Sequence, residues 1–291
     1  MWFLFGNSTL SFPDLTGKVA LVTGANTGMG YIMAVQLAIH GAKVRMGARS
    51  EEKAKQAIEK FNTEHRNHTN KGTILWLPLD LISPTDVMAS AKSFLSQVDC
   101  LDILVNNAAS LASAYALTID GLETSIATNH VAHFTLTEAI LPLLRQIAQL
   151  PNSDVRVITV SSTLHTYVTD VKFETKADFN NTFGDGDDWD TVFVSSSLEL
   201  GSEERIQKFS EVVPLLNMFA KTPLQGARAA LVAATALEVR AKEEKHKGAY
   251  LGPGGRLALA SETGRDDKLA KQLWDLTEKV VKDIPGIKGS K

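Results

Sequence analysis

Hydrophobic and polar positions divide the first half of the chain into short apolar runs that alternate with longer amphipathic segments. The apolar runs are Val19–Thr23, Lys43–Ala48, Thr73–Leu79, Ile103–Asn106 and Val155–Ser161. The amphipathic segments, which predict helices, are Tyr31–His40, Glu51–Glu64, Pro84–Val98 and Thr118–Leu150. Strands that alternate with helices favour right-handed βαβ units. We therefore expect an α/β fold with a doubly wound parallel sheet.

A glycine-rich turn joins the first predicted strand to the first predicted helix. Its residues are Thr23, Gly24, Ala25, Asn26, Thr27, Gly28, Met29 and Gly30. Gly24 permits a tight turn, Gly28 lets the main chain approach a pyrophosphate, and Gly30 lets the helix sit against the strand. The helix start offers unpaired N–H groups and the positive end of its dipole to phosphates. This order predicts a dinucleotide site in a Rossmann-type fold.

The size and composition are those of a soluble globular protein. The chain has 291 residues, and no linker rich in Pro, Gly or Ser divides it. We therefore expect a single NAD(P)-binding domain over residues 1–291, with residues 1–16 as a leader. The net charge of −3 and the lack of a basic patch give no reason to expect nucleic acid. Cys100 is the only cysteine, which excludes an intrachain disulfide and favours a reducing, cytoplasmic location.

The leader begins with an apolar run, Met1–Phe5, that stops at Gly6. It is too short to span a bilayer and lacks a charged region with a cleavage site, so we expect no membrane span. Two interpretations remain open: a tail that touches a membrane or a partner, and a leader that is disordered or docked on the core.

The residues after the second strand bear on the choice of dinucleotide. An acidic side chain there usually binds the ribose 2′-OH of the unphosphorylated cofactor. This chain has Arg49 instead, with Lys53 one turn into the next helix. Arginine binds a 2′-phosphate through its planar fork, so we predict NADP(H). The alternative is that Arg49 only solvates a strand end.

Several motifs in order resemble the short-chain dehydrogenase/reductase family, and most closely its retinol-dehydrogenase-like and fungal secondary-metabolism branches. They are the G-x-x-x-G-x-G spacing after Thr23, the run Asn106-Asn107-Ala108-Ala109, and the strand that ends at Ser161-Ser162. The resemblance covers Gly17 to about Leu164, with Ala109 in place of a family glycine.

The resemblance implies roles for further residues. Asp80, with Leu81 after it, would contact the adenine ring, although Asp80 could also cap the helix that follows. Asn107 and Ala108 would shape the floor under the nicotinamide ribose, and Asn129 would help to hold a proton-relay water. Ser162 would hydrogen-bond the substrate oxygen as charge develops on it.

Two histidines, His130 and His133, lie three residues apart in the fourth helical segment. That spacing raises the question of a metal site, but no third ligand follows at a suitable spacing. We expect core or interface histidines and no metal.

The family pattern fails at its tyrosine and lysine, which lie four residues apart and share one helix face. None of the four tyrosines has a lysine four residues on. Tyr167 precedes Lys172 by five residues, and Phe193 and Ser197 stand where the pair is expected. We infer that a helix-strand unit after the fifth strand is missing between Val192 and Glu211, which would leave the usual dimer surface incomplete.

The hypothesis that follows is an NADP(H)-dependent oxidoreductase. It would transfer a hydride between the nicotinamide and a carbonyl or secondary alcohol of a small lipophilic substrate, in secondary-metabolite biosynthesis. Without the tyrosine, the proton donor is unassigned, and Tyr167 or a water near Asn129 are the remaining candidates. Two alternatives stay open: a non-catalytic NADP(H)-binding sensor or scaffold, and a shortened product that folds poorly.

Overall fold

A parallel sheet of five strands forms the centre of the molecule. The computed structural model describes residues 11–110, 115–162, 165, 171–180 and 222–287. The strands are β1 (Val19–Thr23), β2 (Lys43–Ala48), β3 (Thr73–Pro78), β4 (Ile103–Asn106) and β5 (Arg156–Thr159). Their order across the sheet is β3-β2-β1-β4-β5, and every neighbouring pair is parallel. The predicted doubly wound α/β fold is confirmed, and the order of strands reverses between β1 and β4, where such sheets bind ligands.

Helices cover both faces of the sheet. Those before β5 are α1 (Gly28–Ile39), α2 (Glu51–Glu64), α3 (Pro84–Leu95), α4 (Thr124–Ile126) and α5 (Ala132–Ala148), and a π-helical turn, Ala127–Val131, joins the last two. After the sheet come α6 (Pro223–Thr235), α7 (Leu237–Ala241), α8 (Glu243–His246) and α9 (Asp267–Asp283). Short 3₁₀ turns occupy Lys176–Asn180 and Thr263–Arg265.

The predicted helix over Thr118–Leu150 is wrong at its start. The amide N–H of Thr118 donates to the carbonyl of Leu122, and Leu117 forms an isolated antiparallel bridge with Glu123. The Glu123 carboxylate then accepts hydrogen bonds from the first amides of α4. Because that carboxylate caps the helix, α4 begins at Thr124.

The core consists of two main layers, one on each face of the sheet. On one face, α1 and α2 pack against β1, β2 and β3, and α6 packs against β4 and β5, with Met33, Phe61 and Leu231 fully buried. On the other face, α3 and α5 pack through Phe94 and Leu136. Strands covered on both faces read as continuous apolar runs, which explains why the sequence pattern located β1 to β4 so closely.

The sheet as described ends at β5. Val157 in this strand is 47% exposed, whereas its neighbour Leu104 in β4 is fully buried. Tyr250–Leu251 (β6) and Leu257–Ala258 (β7) pair with each other as a separate antiparallel hairpin. The segment from Val192 to Glu211, where the sequence places a missing helix-strand unit, lies outside the described residues, as do Tyr167, Phe193 and Ser197.

Part of the leader packs on the core. The ring of Phe12 stacks on His40 at a centroid distance of 4.2 Å, and Leu15 is 5% exposed. The leader residues before position 11 lie outside the described part of the chain. None of the helices in the described residues has the length and apolarity that a bilayer crossing requires.

Candidate dinucleotide site

The glycine-rich turn adopts backbone angles that require glycine. Gly24 has φ +62° and Gly28 has φ +56°, both in the left-handed region. A Cβ atom at Gly24 would lie 2.9 Å from the Cα of Ala108, and one at Gly30 would meet the carbonyl oxygen of Gly24 and the side-chain nitrogen of Asn107. The close approaches at Gly24 and Gly30 therefore bring the end of β1, the start of α1 and the end of β4 together.

The start of α1 leaves main-chain N–H groups without helical partners. The helix begins at Gly28, and its N-cap residue, Thr27, makes no side-chain capping hydrogen bond. Thr27 and Gly28 are exposed, Asn26 is half-buried, and a Cβ built on Gly28 would meet no atom within 4 Å. Amide donors and the positive end of the helix dipole therefore face open space, as phosphate binding requires.

Met29 contributes its main chain rather than its side chain to this surface. A Cβ atom on Gly226 of α6 would lie 2.6 Å from the Met29 sulfur, so the side chain packs tightly between α1 and α6.

Thr23 is the hydrogen-bonding centre of the site. It is fully buried, and its hydroxyl oxygen accepts hydrogen bonds from the amides of Asn107 and Ala108, each at 2.9 Å. The Asn107 side-chain amide in turn donates to the Thr23 carbonyl at 2.9 Å. These three bonds join the ends of β1 and β4 beneath the glycine-rich turn. Asn106 points to the other face and donates to the Thr137 hydroxyl of α5.

Arg49 and Lys53 are both exposed beside the end of β2. The Ser50 side chain accepts a hydrogen bond from the Lys53 amide and so caps α2 immediately after Arg49. Among the residues that the structure describes, none forms a hydrogen bond or ion pair with the Arg49 guanidinium. The guanidinium is therefore available to an anion near the α1 N-terminus.

Asp80 and Leu81 follow β3 at the same edge of the sheet. Asp80 is half-buried, and its carboxylate accepts a hydrogen bond from the Ile82 amide at 3.2 Å, while Leu81 is 7% exposed. The N-cap of α3 is Ser83, so Asp80 orders the loop and does not cap the helix.

Asn129 lies in the π-helical turn and fastens the loop after β4. Its side chain accepts a hydrogen bond from the Ser110 amide at 2.7 Å and donates one to the Ser110 carbonyl at 2.9 Å. The π turn adds a residue to the helical register here, a feature that is frequent at functional sites. Asn129 therefore fixes the path of the chain after Ala108.

His130 and His133 bind different elements. The His130 ring nitrogen Nε2 lies 2.8 Å from the Thr277 hydroxyl of α9, and the His133 Nε2 lies 2.9 Å from the Thr23 hydroxyl. Burial lowers the pKa of each imidazole to about 4. Each histidine thus has a protein partner, and within the described residues no cluster of three His, Cys, Asp or Glu side chains could hold a metal.

Ser162 lies just beyond the end of β5 and is half-buried. Its carbonyl accepts a hydrogen bond from the His165 ring nitrogen Nδ1 at 2.6 Å, and the Ser261 amide donates to the other ring nitrogen at 3.2 Å. His165 therefore connects the serine-bearing loop to the chain beyond β7.

The sequence-predicted residues thus collect at the carboxyl end of the sheet. Sequence reasoning missed the partners that hold them, above all His133, Ser110 and His165. His133 was expected to be a core or interface histidine, with no partner named for it. The signal that could have indicated its role was its position four residues after Asn129 on one helix face.

Comparison with known proteins agrees with this geometry. The model of the short chain dehydrogenase family matches residues 18–170. A short chain dehydrogenase/reductase of Colletotrichum higginsianum, dpchH, is 36% identical over 93% of this chain and 76% of its own length. A short-chain dehydrogenase/reductase of Armillaria gallica is 34% identical over 94% of this chain and 95% of its own length. The crystal structure of an uncharacterized protein from Mycobacterium paratuberculosis superposes with a TM-score of 0.57 at 26% identity, over 94% of this chain and 96% of the other.

In the alignment with the Colletotrichum protein, the sequence of this chain has gaps. The alignment runs over 307 positions, but 93% of 291 residues is only about 271, so about 36 positions lie opposite gaps. Two parallel strands with their crossover helix take roughly 30 residues, so this number of positions is enough for one helix with one strand. Fold, motif order and relatives agree, and the chain belongs to the short-chain dehydrogenase/reductase family of nicotinamide-dependent oxidoreductases.

Proposed function

We propose that this chain binds NADP(H) and transfers a hydride between the nicotinamide and a carbonyl or secondary alcohol of a small lipophilic substrate. The residues present fit the dinucleotide: Gly28 leaves open space over the first turn of α1, and the amides of that turn have no helical acceptors. A diphosphate would accept hydrogen bonds from these amides. Asn107 and Ala108 would lie under the nicotinamide ribose, and Asp80 and Leu81 beside the adenine.

The observation that carries the preference for NADP(H) is Arg49. Its guanidinium is exposed at the end of β2, with no partner among the described residues, at the position where an acidic residue would select NAD(H). A planar guanidinium binds a phosphate with two parallel hydrogen bonds, and Lys53 adds a second positive charge one turn away.

The chemistry proposed for the site rests on Ser162. When bound, the nicotinamide supplies or accepts the hydride. The Ser162 hydroxyl would donate a hydrogen bond to the substrate oxygen and so stabilise the negative charge that develops on it. The oxygen that receives the negative charge also needs a proton, and a water near Asn129 would supply it. Because the Asn129 side chain is engaged with Ser110, that water would share the main-chain carbonyl of Asn129 with the His133 ring. We also propose a role in secondary metabolism, which is consistent with the fungal origin of the relatives.

Titration with NADPH and NADH tests the cofactor. We expect NADPH to bind more tightly, and Arg49→Ala to weaken NADPH roughly 10- to 150-fold, since a hydrogen bond to a charged group contributes about 1.5–3 kcal/mol. Lys55→Ala is the matched control, because Lys55 pairs with Glu51 on the same helix. Equal affinity of wild type and Arg49→Asp for NADPH would contradict the proposal.

Turnover tests the activity. We expect the protein to oxidise NADPH with a member of a panel of lipophilic ketones, and Ser162→Ala to abolish the rate without changing the affinity for NADPH. A rate that survives in Ser162→Ala would remove the serine from the mechanism.

A second candidate is a non-catalytic NADP(H)-binding sensor or scaffold. It is favoured by the sequence itself, in which no tyrosine has a lysine four residues on, and by the alignment gaps. This function predicts tight NADPH binding with no turnover on any ketone or alcohol of the panel. An inserted segment that restores Tyr-x-x-x-Lys between Val192 and Glu211 would then be expected to confer activity.

A further inference from the structure

His133 is a buried histidine for which the proposed chemistry has no use. It is 6% exposed, and both of its ring nitrogens lie against polar atoms. Nε2 lies 2.9 Å from the Thr23 hydroxyl, and Nδ1 lies 3.1 Å from the main-chain carbonyl of Asn129. The ring therefore touches the last residue of β1 on one side and the π-helical turn on the other.

The hydrogen bonds of Thr23 determine the direction of the first contact. The hydroxyl oxygen already accepts from the amides of Asn107 and Ala108, which occupy its two lone pairs. Its own proton must then be donated. The carbonyl of Val105 is 3.5 Å away, beyond the usual O–H···O range, whereas the His133 Nε2 is 2.9 Å away. Nε2 of His133 is therefore the acceptor.

This direction fixes the tautomer of the ring. A neutral imidazole carries one proton, and with Nε2 as acceptor that proton is on Nδ1, where it is donated to the Asn129 carbonyl. The opposite tautomer would place a third donor on the Thr23 oxygen and a lone pair against the Asn129 carbonyl. Burial lowers the pKa of His133 to about 4, which keeps the ring neutral at pH 7.

We propose that His133 is a positioning residue for the cofactor turn: as the Nδ1–H tautomer, it holds the Thr23 hydroxyl and the Asn129 carbonyl at once. This inference rests on the proposed function of the turn. It joins three separate pieces of the site: the glycine-rich turn, the amides that follow β4, and the helix of Asn129. These pieces can shift little relative to one another, because the Ala108 Cα lies 2.9 Å from where a Cβ of Gly24 would be.

His130 provides a matched control on the same helix. Its partner, Thr277, donates its own hydroxyl proton to the Leu273 carbonyl at 2.6 Å, so it accepts from the His130 Nε2–H. His130 thus has the opposite tautomer and faces α9, away from the cofactor turn. Both histidines have a low pKa, but His133 contacts Thr23 and the Asn129 carbonyl, whereas His130 contacts Thr277.

The first experiment measures the tautomers in the unmodified protein by ¹⁵N NMR of the imidazole nitrogens at pH 7. We expect one buried histidine protonated on Nδ1 and one on Nε2, assigned to His133 and His130 by single substitution. Protonation of His133 on Nε2 would overturn the proposal, whatever the variants do.

The second experiment compares NADPH affinity and stability in His133→Leu, His133→Gln and His130→Leu, at a temperature where each is folded. We expect His133→Leu to bind NADPH roughly tenfold more weakly, the loss of about one hydrogen bond. His133→Gln, which retains an acceptor near Nε2, should recover most of the affinity, and His130→Leu should lose stability with no change in affinity.

The outcomes separate this inference from the function on which it rests. If the wild-type protein fails to bind NADPH, the proposed function fails. If the wild type binds but folded His133→Leu binds equally well, His133 has only a structural role and this inference alone fails.

Discussion

The two ends of the central sheet are held together by different chemistry. At the amino end, Asp102 is 4% exposed and accepts hydrogen bonds from the Lys18 ammonium at 2.8 Å and the Val19 amide at 2.9 Å. Nearby, Arg156 pairs with Asp154 at 2.6 Å and donates to the carbonyls of Ala233 and Ala236 at the end of α6. Each of these charges has its partner within the fold.

At the carboxyl end, the hydrogen bonds that join β1, β4 and α5 connect neutral groups. The Thr23 hydroxyl accepts hydrogen bonds from the amides of Asn107 and Ala108 and donates one to the His133 imidazole. The charged Arg49 guanidinium is exposed and takes no part in these bonds. Charge that is satisfied inside the protein supports stability, whereas unpaired amides and an unpaired guanidinium are available to an anionic ligand. The two ends therefore predict separable effects on stability and on binding.

The largest expected effect is a loss of stability as pH falls, from the buried histidine that contacts the cofactor turn and from its neighbour that contacts α9. His130 and His133 have a pKa of about 4 when folded, below the 6.5 of an exposed histidine. Their contribution is complete above pH 6.5 and is lost as pH falls toward 4, at about 3 kcal/mol per histidine. Urea unfolding at pH 7, 6 and 5 measures it, and His133→Gln should show a shallower dependence. A free energy of unfolding that is constant over this range would contradict the low pKa values.

Gly30→Val should give the next largest effect, on binding and stability together. A Cβ at this position meets the Gly24 carbonyl and the Asn107 side chain, so we expect no measurable NADPH binding and a cost of about 3 kcal/mol in the free energy of unfolding. Gly17→Ala is the control, since φ is +85° there but no atom lies within 4 Å of a Cβ. It should cost only about 1 kcal/mol, from backbone strain, and leave binding unchanged.

Asp102→Ala, at the amino end of the sheet, should lower stability without weakening NADPH binding at the carboxyl end. We expect it to lower the free energy of unfolding by about 2 kcal/mol, because the Val19 amide and the Lys18 ammonium lose a charged acceptor. The dissociation constant for NADPH should stay within threefold of wild type. Asp275→Ala breaks an exposed pair with Lys271 and should cost under about 1 kcal/mol. Weakened NADPH binding in Asp102→Ala would show that the ends are coupled.

Arg156→Met should also destabilise the amino end, by about 3 kcal/mol, because two carbonyls each lose a hydrogen bond from a charged donor. Burial raises the pKa of Asp154, but the hydrogen bond and charge of Arg156 outweigh it and hold that pKa below 3.8. This contribution is present above pH 3.8 and is lost below it. Carboxyl NMR titration should therefore show a higher pKa for Asp154 in the variant, and an unchanged value would contradict the assignment.

Much of the fold was predictable from the sequence because its signals are local. A buried parallel strand reads as an apolar run, and a left-handed turn needs glycine, so the positions of β1 to β4 and of Gly24 and Gly28 follow from neighbouring residues. The start of α4 was predicted six residues too early, at Thr118 instead of Thr124, because its cap, Glu123, follows a turn held by pairing between Leu117 and Glu123.

The sequence by itself determined the class of fold, the glycine-rich turn and the exposed Arg49 after β2, since each depends on residues within a few positions. Only the tertiary structure decided which side chains hold that turn in place. His133 meets Thr23 across 110 residues of chain, and Asn107 meets it across 84. A hydrogen bond carries no periodicity along the sequence, so these partners are known only after the strands and helices have packed together.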